Sequence, residues 1–284
     1  MTTLGDATPV SGNNRIMEGQ HAETPGNLEG VDMIRRILIA MVLACWSLNA
    51  TAQVDAAAAE ANAAEIIQRM QDLYRGESSR AEMSMIVETP DYKRTMTMSS
   101  VSRGTEDMLI RILSPRKDRG ITTLKREQEM WNFFPKINKV IKVPPSMMMG
   151  SWMGSDFTND DIVQDTELVD EYALDLAVEE PNYVVTLMPR EQTVTVWGKI
   201  VYVINATTLL PVEQSFFDDR GEKVRVMRFL EPRDFGGTML PSVMELVPLN
   251  KPGHKTIVRY DMLEQDADDV AESLFTLRNL KKRF

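Results

Sequence analysis

From Ser79 onward the chain alternates apolar and polar residues with a period of two, in one short segment after another, and turn-forming residues separate the segments. Ala81, Met83, Met85 and Val87 alternate with Glu82, Ser84, Ile86 and Glu88; Pro90-Asp91 marks a turn; Met96 and Met98 then alternate with Thr95 and Thr97 between Lys93 and Ser102. Strand-like segments continue at Asp107–Leu113, Ile121–Arg126, Glu129–Phe134 and Lys139–Val143. They resume at Tyr172–Glu179, Asn182–Pro189, Lys199–Asn205, Val212–Phe217, Lys223–Leu230, Met239–Val247 and His254–Tyr260. Most are joined by dipeptides such as Pro181-Asn182, Arg220-Gly221, Gly236-Gly237 and Pro252-Gly253. Short strands with tight turns and no helix between them predict an antiparallel meander, and the chain is mainly β (α+β). A sheet this large has to curl, and a curled sheet has a concave face.

Two helices accompany the strands. Asp55–Tyr74 is alanine-rich, and Ile66, Ile67, Met70 and Leu73 give it one apolar stripe, with Gly76 as its stop. Val270–Leu277 is expected to be a short closing helix ahead of the basic tail Arg278–Arg283.

One stretch does not fit the meander. Pro144, Pro145, Gly150 and Gly154 keep Lys142–Phe157 from being a regular helix or a central strand. It must be a loop, yet it carries Met147, Met148, Met149, Trp152, Met153 and Phe157. Surface loops are normally polar, so these side chains have something to cover. Methionine suits apolar partners of varying shape, and the stretch is expected to be a flexible apolar flap. It ends at a short helix with Thr158 as N-cap and Asp160 and Asp161 in the first turn, where acids are favoured. Capping explains the acids Asp156, Asp160, Asp161 and Asp165. The alternating ligand spacing of a calcium loop is missing, and no metal or cofactor is expected.

The first fifty residues have another purpose. Residues 1–32 are poor in large apolar residues and read as a disordered extension or a misassigned start, with Met33 the expected true start. Met33-Ile34-Arg35-Arg36, the apolar run Ile37–Trp46 and the triplet Ala50-Thr51-Ala52 form a cleavable export signal over residues 33–52. Residues 53–284 are then a single domain in the periplasm. Cys45 is the only cysteine and lies inside that signal, so thiol and disulfide chemistry are excluded from the mature chain. The formal net charge of −10 argues against nucleic acid as a partner.

The run Arg111–Asp161 resembles the exported outer-membrane lipoprotein-sorting proteins, relatives of the carrier LolA and the receptor LolB. The resembling residues are Arg111-Ile112-Leu113-Ser114-Pro115, Arg119-Gly120, Met130–Pro135, the basic strand Lys136–Lys142, and Met149–Phe157 with Asp160-Asp161. The later hairpin Leu210–Lys223 is similar as well. The resemblance implies an incomplete antiparallel β-barrel with helices capping a hydrophobic cavity that holds lipid or lipoprotein acyl chains. It also implies a membrane transporter of the RND type as partner, since genes of such relatives often accompany those transporters.

Three function classes follow. A carrier without covalent chemistry would bind its cargo through Trp131, Phe133, Phe134, Met147, Met148, Met149, Trp152, Met153 and Phe157; core packing is the competing role for the three strand aromatics. An enzyme lacks support, because there is no Gly-x-Ser-x-Gly elbow and no His-Glu-x-x-His pair, and His254, the one histidine of the mature chain, sits in a turn. A docking subunit that carries no cargo would use Lys136, Lys139 and Lys142, although lysines on an exposed edge strand also protect it from edge-to-edge pairing.

Overall fold

The computed structural model describes residues 60–73, 76–163 and 168–282; the expected export signal, the start of the first helix and Asp165 lie outside them. Helix α1 covers residues 60–73. Six strands follow: β1 (Ser78–Glu88), β2 (Lys93–Arg103), β3 (Asp107–Ser114), β4 (Thr122–Arg126), β5 (Glu129–Phe134) and β6 (Lys139–Lys142). After the flap come the helices α2 (Asn159–Val163) and α3 (Leu168–Glu171). A second run contains β7 (Tyr172–Glu179), β8 (Asn182–Pro189), β9 (Lys199–Asn205), β10 (Pro211–Phe217), β11 (Lys223–Phe235), β12 (Thr238–Pro248) and β13 (Lys255–Gln265).

Among the described residues these strands form one antiparallel sheet of thirteen, in the order β6-β5-β4-β3-β2-β1-β13-β12-β11-β10-β9-β8-β7. Tight turns keep consecutive strands adjacent, so each run is a meander, and the first and last strands, β1 and β13, join the two in the middle. The edges are β6 and β7. The sheet is therefore not closed into a barrel, as an incomplete barrel requires. Residues 143–171 have to run from one edge to the other, which is why this connection is long and apolar where the others are short and polar. Register shifts at Glu82/Met83, Thr97/Met98 and Phe216/Phe217 add local twist and help the sheet curl.

One face carries two packed layers. Ala63, Ile67 and Met70 of α1 are buried against Leu174, Val185, Leu187, Ile204 and Phe216 of the second meander. The flap covers the first meander, where Met85, Met96, Met98, Ile112 and Met130 pack with Trp152. Neighbouring residues on a strand point to opposite faces, so Leu109, Leu124 and Phe133 project the other way. There they meet Ala267, Val270, Phe275 and Leu280 of the C-terminal segment.

That segment corrects the expected closing helix over Val270–Leu277. It consists of a single 3-10 turn at Glu272–Leu274 and a separate helix α4 (Leu277–Leu280). The Thr276 side chain accepts a hydrogen bond from the Asn279 N–H, so an N-cap falls where a continuous helix would have run.

Candidate ligand-binding cavity

The flap owes its shape to backbone hydrogen bonds. Pro145 opens a 3-10 turn whose first N–H it lacks anyway. Met153 and Gly154 both have positive φ, 51° and 72°, and the Ser155 N–H donates to the Trp152 carbonyl at 3.0 Å, which makes a type I′ turn. Around that turn the Trp152 N–H donates to the Phe157 carbonyl at 2.8 Å, and the Asn159 N–H to the Gly150 carbonyl at 2.9 Å. The segment expected to be flexible is a loop tied by its own backbone.

Four side-chain contacts fasten it to the sheet. The Trp152 indole N–H donates to Thr123 Oγ1 on β4 at 3.1 Å, and Thr123 in turn donates to Asn132 Oδ1 at 2.6 Å. The Arg94 guanidinium on β2 donates to the Met153 carbonyl at 3.0 Å. Asp156 exchanges two hydrogen bonds with Thr256 on β13: its N–H donates to Oγ1 at 3.0 Å, and that hydroxyl donates to Oδ2 at 2.8 Å. Asp161 accepts from both terminal nitrogens of Arg225 on β11, at 2.8 and 2.6 Å.

The Arg225 guanidinium lies against the rings of Phe216 and Trp197, 4.0 and 4.3 Å from their centroids, and those two rings are themselves 5.0 Å apart. Asp161 has a second task. Its N–H donates to Thr158 Oγ1 at 3.1 Å while its carboxylate accepts from the Thr158 N–H at 2.8 Å, a capping box at the start of α2. Thr158 is thus the N-cap that the sequence indicates.

Beneath the flap lies a cavity of about 380 Å³. Met83, Met98, Ile110, Met244 and Val258 form its apolar wall, and Trp152, Phe157 and Ile162 lie over it. At one end the lining turns polar, with Ser79, Ser102, Thr105, Lys125 and Gln265. A second cavity of about 280 Å³ shares Phe157 and Asp161 with the first and extends toward α1, past Tyr172, Tyr202, Gln214 and Arg225. Burial pushes the Tyr202 hydroxyl well above its ordinary value, so it remains a protonated donor. Among the described residues no group of histidine, cysteine and acidic side chains could hold a metal ion.

The nine residues expected to bind cargo separate into groups. Trp152 and Phe157 line the cavity beneath the flap, and Met148 and Met153 pack in the hydrophobic cluster that contains Trp152. Met147 and Met149 point outward, 59% and 45% exposed. Trp131 and Phe133 alternate with Met130 and Asn132, face the other side of the sheet from the cavity, and pack under the C-terminal segment. Phe134, half-buried at the end of β5, lines neither cavity. Sequence reasoning missed Lys125 and Arg225. Each is a base inside an expected strand that carries other bases, Arg126 beside Lys125 and Lys223 and Arg228 around Arg225, and the period alone does not say which face is concave.

A family model described as "uncharacterized protein" matches residues 104–282. No curated protein matches the sequence. Several solved structures share the fold. A DUF1329 family protein from Desulfovibrio piger is 22% identical, with 78% of this chain and 99% of that chain aligned at a TM-score of 0.71. A domain described as an outer membrane lipoprotein-sorting protein, from Vibrio parahaemolyticus, is 19% identical over 78% of this chain and 100% of that one, at 0.69. A LolA superfamily protein from Nitrosomonas europaea is 18% identical over 76% and 98%, at 0.63.

Proposed function

This chain belongs to the family matched over residues 104–282 and has the fold of the LolA-type sorting proteins, and from that premise we propose that it is a periplasmic carrier of lipid or lipoprotein acyl chains. The observation that supports it is the methionine-walled cavity beneath the flap. Burying an acyl chain is favourable by about 0.8 kcal/mol per CH₂, so a single chain in that wall can compete with a membrane. Methionine, unbranched and polarizable, fits chains of differing shape. The carrier performs no covalent chemistry. A membrane transporter of the RND type is proposed as the partner that loads or unloads it, on the strength of the family resemblance.

Native mass spectrometry of residues 53–284, purified from the envelope without detergent, tests the binding step. A bound lipid or acylated peptide is expected, and Met244→Arg should remove it by placing a charge in the apolar wall. An apo mass, with no uptake of offered lipids, would instead favour a docking subunit that works through Lys136, Lys139 and Lys142.

A further inference from the structure

The strand register arranges the cavity wall in rungs. Lys125 pairs with Met108, Met108 with Ser102, Ser102 with Ser79, and Ser79 with Gln265, so a single rung crosses β4, β3, β2, β1 and β13. The next inward-facing rung is Thr123, Ile110, Ser100, Ala81 and Leu263. The one after it contains Ile112, Met98, Met83 and Tyr260. Polarity therefore falls from the first rung to the third. Met98 is four residues from Ser102, about 13 Å along the strand. Gly104, exposed at the β2–β3 turn, marks the polar rung as the rim.

Charge runs along the same axis. Among the described lining residues Lys125 is the only base and Asp161 the only acid, and Arg225 already holds Asp161 by two hydrogen bonds. Lys125 is 3% exposed, and its ammonium donates to the Thr105 carbonyl at 2.5 Å, which fixes it at the rim. A lysine ammonium has three donors arranged around a compact charge. The lining thus presents positive charge and hydroxyls at one end and sulfur and hydrocarbon at the other. At about 380 Å³ the cavity is near the lower end of the roughly 300–1,000 Å³ common for ligand sites, room for one chain rather than several.

We propose that the cargo is a single-chain amphiphile with an anionic head, carboxylate or phosphate, which Lys125 binds at the rim beside Ser79 and Ser102 while the chain enters the methionine wall. This rests on the carrier function above. It adds that function's head-group selectivity and the direction in which the cargo lies.

Four amphiphiles of matched chain length, titrated calorimetrically into delipidated protein, test it: laurate, dodecyl phosphate, the neutral monolaurin and the cationic dodecyltrimethylammonium. At least one anionic ligand should bind about tenfold tighter than monolaurin, the difference expected for one charge-assisted hydrogen bond. The cationic ligand should bind weakest. Preference for laurate assigns a fatty-acid head, and preference for dodecyl phosphate a lipid phosphate. Lys125→Met should abolish the anionic preference, while Lys125→Arg keeps it. Equal binding of anionic and neutral ligands by the unmodified protein would overturn the head-group assignment and leave the carrier standing, without recourse to any variant. Binding of none of the four would overturn the carrier as well.

Discussion

Asp161 makes two connections at once: it completes the capping box of α2 with Thr158 and holds Arg225. The two side chains are 18% and 9% exposed, and removing one partner of a buried pair leaves the other charge poorly solvated. Asp161→Ala should therefore cost about 3 kcal/mol in urea unfolding, and more than Arg225→Met, because the alanine also removes the carboxylate that accepts from the Thr158 N–H. Its neighbour Asp160 acts in the opposite sense. Burial and the adjacent Asp161 raise its carboxyl above the ordinary carboxylate range, against a lowering by Arg225. A raised folded-state value means stability present at low pH and lost as pH rises through that value. Asp160→Asn should thus stabilise the protein at neutral pH, and the gain should vanish below about pH 4, the ordinary range. Urea midpoints at the two conditions check this. Both acids were legible as first-turn acids, but the Arg225 contact was not, because its partners are 64 residues apart.

At the scale of elements, legibility follows turn chemistry. Glu129–Phe134, Tyr172–Glu179, Asn182–Pro189 and Lys199–Asn205 have the bounds expected from sequence. β11 continues beyond Leu230 to Phe235 despite Pro232 and the positive φ of Glu231, because its pairing with β12 carries on, and β13 runs beyond Tyr260 to Gln265 paired with β1. The flap was legible as a loop from its prolines and glycines, but the backbone hydrogen bonds around its type I′ turn were not. Gly154→Ala tests that turn. The nearest atom to an added Cβ is Arg94 Nη1 at 3.8 Å, so space is available and the cost is the backbone at φ +72°. A loss of about 1–2 kcal/mol is expected, read as a lower thermal midpoint; an unchanged midpoint would mean that the turn contributes nothing to stability.

As a whole, the molecule is two meanders joined by β1 and β13, with one long connection crossing the curled face between the outer edges. Helix α1 covers the second meander and the flap covers the first, with the methionine-walled cavity between sheet and flap. The antiparallel half-barrel followed from strand periodicity and resemblance. The side each aromatic faces did not, and Trp131 and Phe133 show why: a strand buried on both faces has no polar side to orient it. The most direct test of carriage is transfer of a fluorescent single-chain lipid from donor to acceptor vesicles. A carrier should raise the transfer rate in proportion to protein concentration, and Met244→Arg should return it to the spontaneous rate. Transfer at the spontaneous rate with the unmodified, properly folded protein would contradict carriage.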